Sequence, residues 1–184
     1  MALSTTIKRV AIYGGAFNPI HNGHLKVMLE AQARGDFQEV WVIPTYENAW
    51  GKKLAPFEDR FQMAKLAMEI LNPKIFKLVD WEEKYQTKYT FDLVTEIRKN
   101  FPDTELTLIL GPDQDEVKEC WYRWEELSKL VGVLVVPDQG PTRSSRIRHL
   151  IQEGNWLWIQ QEVPKPVLEY LLDYNHNSAL YCES

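Results

Sequence analysis

The chain has 184 residues, 45% of them hydrophobic, and a formal net charge of −5. That is enough chain to bury a sizeable core in one domain, too apolar for a disordered segment, and too acidic for a general polyanion-binding surface, so a phosphate site would have to be a local concentration of positive charge. Met1 to Thr6 lack the apolar core of a signal peptide, no apolar run is long enough to span a bilayer, and Cys120 and Cys182 cannot build a disulfide framework, so the expectation is a reduced, cytoplasmic protein without nucleic-acid or membrane partners, for which a homo-oligomer stays open.

Arg9 to Tyr13 reads as a first strand and Leu25 to Ala33 as an amphipathic helix, joined by the glycine turn Gly14-Gly15 and a helix start near Asn22. Glu39 to Pro44 reads as a buried second strand. After a polar loop, Pro56 and the acids Glu58 and Asp59 open a second helix. Phe61, Ala64, Leu66, Ala67, Ile70 and Leu71 give that helix its core face, and Asn72-Pro73 ends it. Ile75 to Asp80 is a short third strand, Trp81 to Lys88 a charged loop, and Tyr89-Thr90 the entry to another helix. Glu105 to Leu110 is the fourth strand, stopping at a Gly111-Pro112-Asp113 turn. A helix is expected over Cys120 to Leu130, then a fifth strand over Val131 to Val136 and a turn from Pro137 to Pro141. Helices from about Ser144, Trp156 and Pro164 complete the chain.

Strands alternating with helices imply right-handed crossovers and a three-layer, Rossmann-like α/β domain. Its sheet should be mostly parallel, with five or six strands. Residues 1–184 read as one domain, of which 144–184 form a C-terminal helical part. Gly14, Thr45, Gly111 and Pro137 each follow a strand, so their loops should share the rim where such sheets bind ligands.

Gly14 and Gly15 let backbone N–H groups come close to a ligand, and the positive end of the following helix points at the same place. His21 and His24, three residues apart, share one face of that helix start. On pattern alone this describes a phosphate site rather than an unliganded turn carrying two satisfied histidines, which is the competing reading. His-x-x-His has no third ligand at a familiar metal spacing, so no protein-built metal site is expected, and the Gly-x-Gly-x-x-Gly fingerprint is absent. A second cluster, Arg143-Ser144-Ser145-Arg146-Ile147-Arg148, puts three further cations at a helix start. There arginine opposes the dipole unless an anion is bound.

The stretch Gly14-Gly15-Ala16-Phe17-Asn18-Pro19-Ile20-His21-Asn22-Gly23-His24-Leu25 resembles the His-x-Gly-His signature of the nucleotidyltransferase α/β-phosphodiesterase superfamily, and within it the nicotinate/nicotinamide mononucleotide adenylyltransferases. The resemblance implies that Gly14, Gly15, Ala16, Phe17, His21 and His24 bind ATP. It implies that Ser144, Ser145 and Arg148 hold its outer phosphates, as in the family's Ser-Ser-Thr-x-Ile-Arg element. Gly111 and Asp113 match a Gly-x-Asp element that takes a ribose hydroxyl. Tyr89, Thr90 and Trp121 resemble the pyridine-side segments of the bacterial enzymes, whereas Lys52, Lys53 and Trp81 resemble those of the eukaryotic branch. Asn18 joins these as a mononucleotide-binding residue. Arg143 and Ser145 depart from the family's usual serine and threonine.

The implied reaction is adenylyl transfer from ATP to nicotinate or nicotinamide mononucleotide, with His21, His24 and Arg148 as catalytic residues and Mg²⁺ arriving with ATP. The acid is weakly favoured over the amide. A sister enzyme such as a pantetheine-phosphate adenylyltransferase, or a non-catalytic nucleotide-binding module, are the rival readings.

Overall fold

The alternation of buried side chains along each strand sets the layers of the molecule. The computed structural model describes residues 7–137, 140–174 and 181. In it β1 (Lys8–Gly15), β2 (Glu39–Pro44), β3 (Phe76–Leu78), β4 (Thr104–Leu110) and β5 (Gly132–Val135) form one sheet in the order β3-β2-β1-β4-β5. Every pairing is parallel. Successive side chains leave a strand on opposite faces. Ala11, Tyr13, Val40 and Val42 therefore enter one core, while Val10, Ile12, Trp41 and Ile43 enter the other. Because both faces are covered, the strands read as nearly unbroken apolar runs.

The helices in chain order are α1 (Asn22–Arg34), α2 (Phe57–Met68), α3 (Trp81–Tyr85), α4 (Thr90–Asn100), α5 (Pro112–Val117), α6 (Trp124–Leu127), α7 (Ser144–Gln152), α8 (Trp156–Glu162) and α9 (Lys165–Tyr174). Met28 of α1, Met63 of α2, Ile147 of α7, Ile159 of α8 and Val167 of α9 are fully buried on the first face. Leu93, Val94 and Ile97 of α4 and Leu127 of α6 cover the second. Each such side chain contributes roughly 1.5–3 kcal/mol of burial. The three-layer α/β architecture expected from the alternating pattern is the one observed.

Four local expectations fail, each for a visible reason. Ile70 is 71% exposed, because α2 ends at Met68 and Ile70 falls in the turn beyond it. Trp81–Tyr85 is a helix and not a loop; Glu82 and Glu83 favour its first turn through the dipole. Gly111-Pro112-Asp113 is not only a turn, since Pro112 starts α5 behind an extended Gly111. The expected helix over Cys120 to Leu130 is broken at Arg123, whose φ of 55° is left-handed. There the guanidinium lies 3.9 Å from the centre of the Phe91 ring and pairs with Glu126, leaving only a 3-10 turn at Lys118–Cys120 and the short α6. The N-terminal residues 1–6, part of the expected Pro137 to Pro141 turn and Cys182 lie outside the described residues.

From β1 the chain steps outward through β2 to β3, then returns to the other side of β1 for β4 and β5. The strand order thus reverses beside β1, and the crevice at the carboxyl ends of β1 and β4 is where this topology places a ligand.

Candidate active site

Two cavities open at that crevice. A smaller one, about 300 Å³, lies over the start of α1 and reaches Gly111, Asp113, Thr142, Arg143 and Ser144. A larger one, about 650 Å³, runs between the loop after β2 and the segments around Thr90 and Trp121. Gly14, Gly15, Ala16 and Gln114 line both, so the end of β1 is their shared wall.

The smaller cavity forms around the glycine turn at the end of β1. At Gly14 and Gly111 a Cβ would meet no protein atom within 4 Å, so both backbones are bare toward the cavity. Phe17, 1% exposed, holds a left-handed φ of 45°, a conformation of the kind that persists where surrounding packing fixes it. The Asn18–Pro19 peptide is cis. His21 then takes the extended N-cap position of α1 and His24 its third turn position.

The two imidazoles stack with centroids 3.7 Å apart and planes 26° apart. The His21 backbone N–H donates to His24 Nδ1 at 3.1 Å. His24 must therefore carry its proton on Nε2, which makes Nε2–H the donor left for a ligand. His21 Nδ1 is buried and has no hydrogen-bond partner in the protein. Burial, with the nearby Arg143 cation, pushes His21 down to about 4. Burial and His21 hold His24 well below the ordinary histidine range. Both rings are neutral donors at pH 7 in the free protein, and an arriving anion would raise both pKa values. The glycine between them leaves the ring room: a Cβ on Gly23 would stand 3.0 Å from His21 ring atoms, tighter than an ordinary contact.

The start of α7 is fastened to this turn. Ser144 Oγ donates to the Pro19 carbonyl at 2.9 Å, and Arg148 Nη1 to the Asn18 carbonyl at 2.8 Å. Ser144 lines the smaller cavity, as does Arg143; Ser145 is exposed and neither it nor Arg148 lines either cavity. Arg143 Nη1 donates to the carbonyls of Gly140 at 2.7 Å and Thr142 at 3.0 Å. The arginine cluster was visible in the sequence, yet it is Arg143, the residue standing where the family pattern has serine, that forms the cavity wall.

The larger cavity is built from side chains. Tyr89, Thr90 and Trp121 line it, with Trp50, Glu82 and Tyr122. Tyr89 and Tyr122 lie 4.5 Å apart between ring centroids. Lys88 Nζ pairs with Glu47 Oε1 at 2.6 Å. Four expected residues sit elsewhere. Trp81 stacks on Phe101 at 5.3 Å and meets Trp41 edge-on at 4.6 Å, lining neither cavity. Asn18 is 4% exposed, and its Oδ1 accepts the Ala55 N–H at 3.2 Å. Lys52 and Lys53 are exposed and line neither cavity; the Lys52 N–H donates to Asn48 Oδ1.

Two residues absent from the sequence-based expectation hold the site together. Gln114 lines both cavities, and its Oε1 accepts the Gly111 N–H at 3.3 Å. Arg60 of α2, 1% exposed, donates from Nε to the Ala55 carbonyl and from Nη1 to the Ala16 carbonyl, both at 2.8 Å, and from Nη2 to that of Tyr46 at 3.5 Å. No sequence signal separated Arg60 from an ordinary helix-surface cation. The acids at the start of α2 gave the helix, but not the direction in which this arginine turns.

The cytidylyltransferase-like family matches residues 12–169. Over 189 residues the chain is 32% identical to the "Probable nicotinate-nucleotide adenylyltransferase" of Anaeromyxobacter sp. (strain K), covering 89% of this chain and 94% of that one. It is 33% identical over 138 residues to the nicotinate-nucleotide adenylyltransferase of Bacillus subtilis (strain 168), covering 73% and 71% of the two chains. The solved Plasmodium falciparum nicotinic acid mononucleotide adenylyltransferase complexed with NaAD shares the fold, with a TM-score of 0.77 at 21% identity over 91% of this chain and 96% of that one. With the glycine turn, the paired histidines and the match over most of its length, the chain belongs to the cytidylyltransferase-like nucleotidyltransferases and, within them, to the nicotinate-nucleotide adenylyltransferase family.

Proposed function

We propose that this protein transfers the adenylyl group of ATP to a pyridine mononucleotide, giving the dinucleotide and pyrophosphate, with nicotinate mononucleotide as the preferred acceptor. The observation that carries the reading is the pair of cavities meeting at Gly14 to Ala16, one walled by backbone and neutral histidines, the other by aromatic side chains. ATP occupies the smaller cavity and the mononucleotide the larger, so their phosphates meet over the end of β1. An oxygen of the mononucleotide phosphate forms a bond to the α-phosphorus, and the bond from that phosphorus to the bridging oxygen of the β-phosphate breaks. The electron pair leaves with pyrophosphate.

The attacking phosphate is an anion near neutral pH, so alignment and charge stabilisation carry the catalysis and no base is needed. His24 Nε2–H and His21 donate to ATP phosphates. Gly14 to Phe17 lend backbone, and Gly111 and Asp113 take the nucleoside. Ser144 and Arg143 meet the leaving pyrophosphate; Arg148 joins them by exchanging the Asn18 carbonyl for phosphate, or stays as a brace for that turn. Mg²⁺ would arrive with ATP and would supply charge neutralisation on its phosphates. We take residues 1–184 as one catalytic unit, with the helices from 144 onward closing its phosphate side.

The test is pyrophosphate release with purified protein, ATP and Mg²⁺. Release that requires nicotinate mononucleotide is expected. Release with phosphopantetheine in its place, or none with any acceptor, would overturn the reading.

A further inference from the structure

The larger cavity contains one group that the reaction itself does not need. Glu82, in the first turn of α3, is 8% exposed and forms part of the cavity wall. Its Oε2 accepts the Tyr46 backbone N–H at 2.9 Å, which leaves Oε1 to meet whatever fills the cavity. A buried carboxyl group beside an acceptor pocket has a direct bearing on what the acceptor carries, because nicotinate and nicotinamide mononucleotides differ only in one pyridine substituent.

We propose that Glu82 reads that substituent and sets the preference between the acid and the amide forms of the acceptor. The inference rests on the acceptor class assigned above. When ionised, Glu82 accepts an N–H of the carboxamide and repels the nicotinate carboxylate. When protonated, it donates its O–H to the carboxylate and the repulsion is gone. The two acceptors therefore favour opposite protonation states of the same side chain. Burial places that equilibrium where it matters: it lifts Glu82 to about 7, against smaller downward pulls from the Tyr46 N–H and from Arg60.

The charged surroundings are few. From α2, Arg60 is the cation whose field reaches Glu82, and its guanidinium is already engaged with three carbonyls. On either side of the cavity, Lys88 and Glu47 are paired with each other. Helix α4 carries Asp92 in its first turn, and farther along Glu96, whose carboxylate is taken by Lys99. The acid of β2, Glu39, binds Lys8 and Trp41 at the opposite end of the sheet. On its own helix, Glu82 is flanked by Glu83 and Lys84. Cys120 also lines the cavity.

The experiment compares kcat/KM for nicotinate mononucleotide with that for nicotinamide mononucleotide between about pH 6 and 8.5. Both acceptors carry the same ribose phosphate and use the same ATP, so titrations of those groups cancel in the ratio. The acid-to-amide ratio should fall roughly tenfold as pH rises, the size expected when one buried hydrogen bond changes sides. In Glu82→Gln, whose amide oxygen still accepts the Tyr46 N–H, the ratio should be flat with pH; in Cys120→Ser the wild-type slope should persist.

A second measurement needs no variant. Calorimetric binding at pH 7 in two buffers should show more proton uptake for the acid than for the amide. A flat wild-type ratio, a slope that survives in Glu82→Gln, or equal proton uptake by both acceptors would each overturn the proposal. Activity on neither acceptor would instead overturn the assigned reaction.

Discussion

The two cavities that meet over β1 are made differently. The smaller is centred on one short stretch, a strand end, two glycines, a left-handed Phe17 and the start of α1, with the rest of its wall from the start of α5 and from residues around Val136 and Thr142. The larger draws on β1, the loop after β2, α3, the start of α4, β4 and the segment around Trp121, with side chains from each. As proposed, phosphates meet both backbone and side chains there, since His21, His24, Arg143 and Ser144 line the same cavity. Recognition of an acceptor is distributed, and it changes with any one of several side chains. In these terms the invariable donor and the variable acceptor occupy the two kinds of site best suited to them.

Arg60 is where the two halves are joined, so removing it should blur the contrast most. Its guanidinium binds the Ala16 carbonyl on the shared wall and the Tyr46 carbonyl beside the acceptor cavity. Arg60→Ala leaves these part-buried carbonyls and that of Ala55 without their charged donor, and should cost about 3–5 kcal/mol of stability, the sum of three charge-assisted hydrogen bonds. Denaturant unfolding gives the number, and KM for both substrates should rise in what remains folded. A stability loss within experimental error would mean that the loops hold their positions without it.

Breaking only the half at the glycine turn calls for His24. His24→Ala removes the Nε2–H donor from the α-phosphate and should lower turnover roughly a hundredfold or more, about 3 kcal/mol of transition-state stabilisation. The same ring accepts the His21 N–H at the helix start, so a further loss of about 1 kcal/mol of stability should accompany it. Steady-state turnover at saturating substrates, on protein shown to be folded, decides the matter; near-normal turnover removes His24 from the chemistry.

The same contrast governs what could be read from the chain. The glycine turn, the histidine spacing and the alternation of strands and helices are local patterns, and the sheet and the smaller cavity follow from them. Arg60 and Glu82 act across long sequence separations, and each looks like a polar residue on a helix until the fold turns it inward. Trp81 shows the converse: its local context resembles a ring-stacking residue, but the helical start at Trp81 carries its indole onto Trp41 and Phe101. Arg123 could not be foreseen either, because its left-handed backbone goes with a tertiary contact to Phe91 as well as the local pair with Glu126.

The neutral histidines also make a stability prediction. His21 is held at about 4 in the folded protein, against an ordinary value of 6.5. Between those values the unfolded chain takes up a proton that the folded protein refuses. Stability from this source is intact above about pH 6.5 and is lost as pH falls toward 4, with His21 alone accounting for about 2 kcal/mol at pH 5. The readout is the difference in unfolding free energy between pH 7.5 and 5, wild type against His21→Asn, so that other titrating acids cancel. Equal pH dependence in the two proteins would show that His21 is protonated when buried. Saturating ATP should shrink the loss, because its phosphates favour the charged rings.

The smallest expected effect tests the side-chain-built half. Trp121 lines the acceptor cavity and also packs against the second core beside Trp124, whose ring stands edge-on at 6.1 Å. If the indole stacks on the pyridine ring, Trp121→Ala should raise the apparent KM for the mononucleotide by about 1–2 kcal/mol, or roughly fivefold to thirtyfold, taking base stacking on aromatic side chains as the guide. KM for ATP should move far less, because Trp121 does not reach the smaller cavity. A purely core role predicts the opposite pattern: a lower unfolding free energy with both KM values unchanged in the folded fraction. Trp121→Phe separates the two further, since a phenyl ring retains a stacking face while filling less of the core. Recovery of the mononucleotide KM in Trp121→Phe, without recovery of stability, would assign the residue to the acceptor.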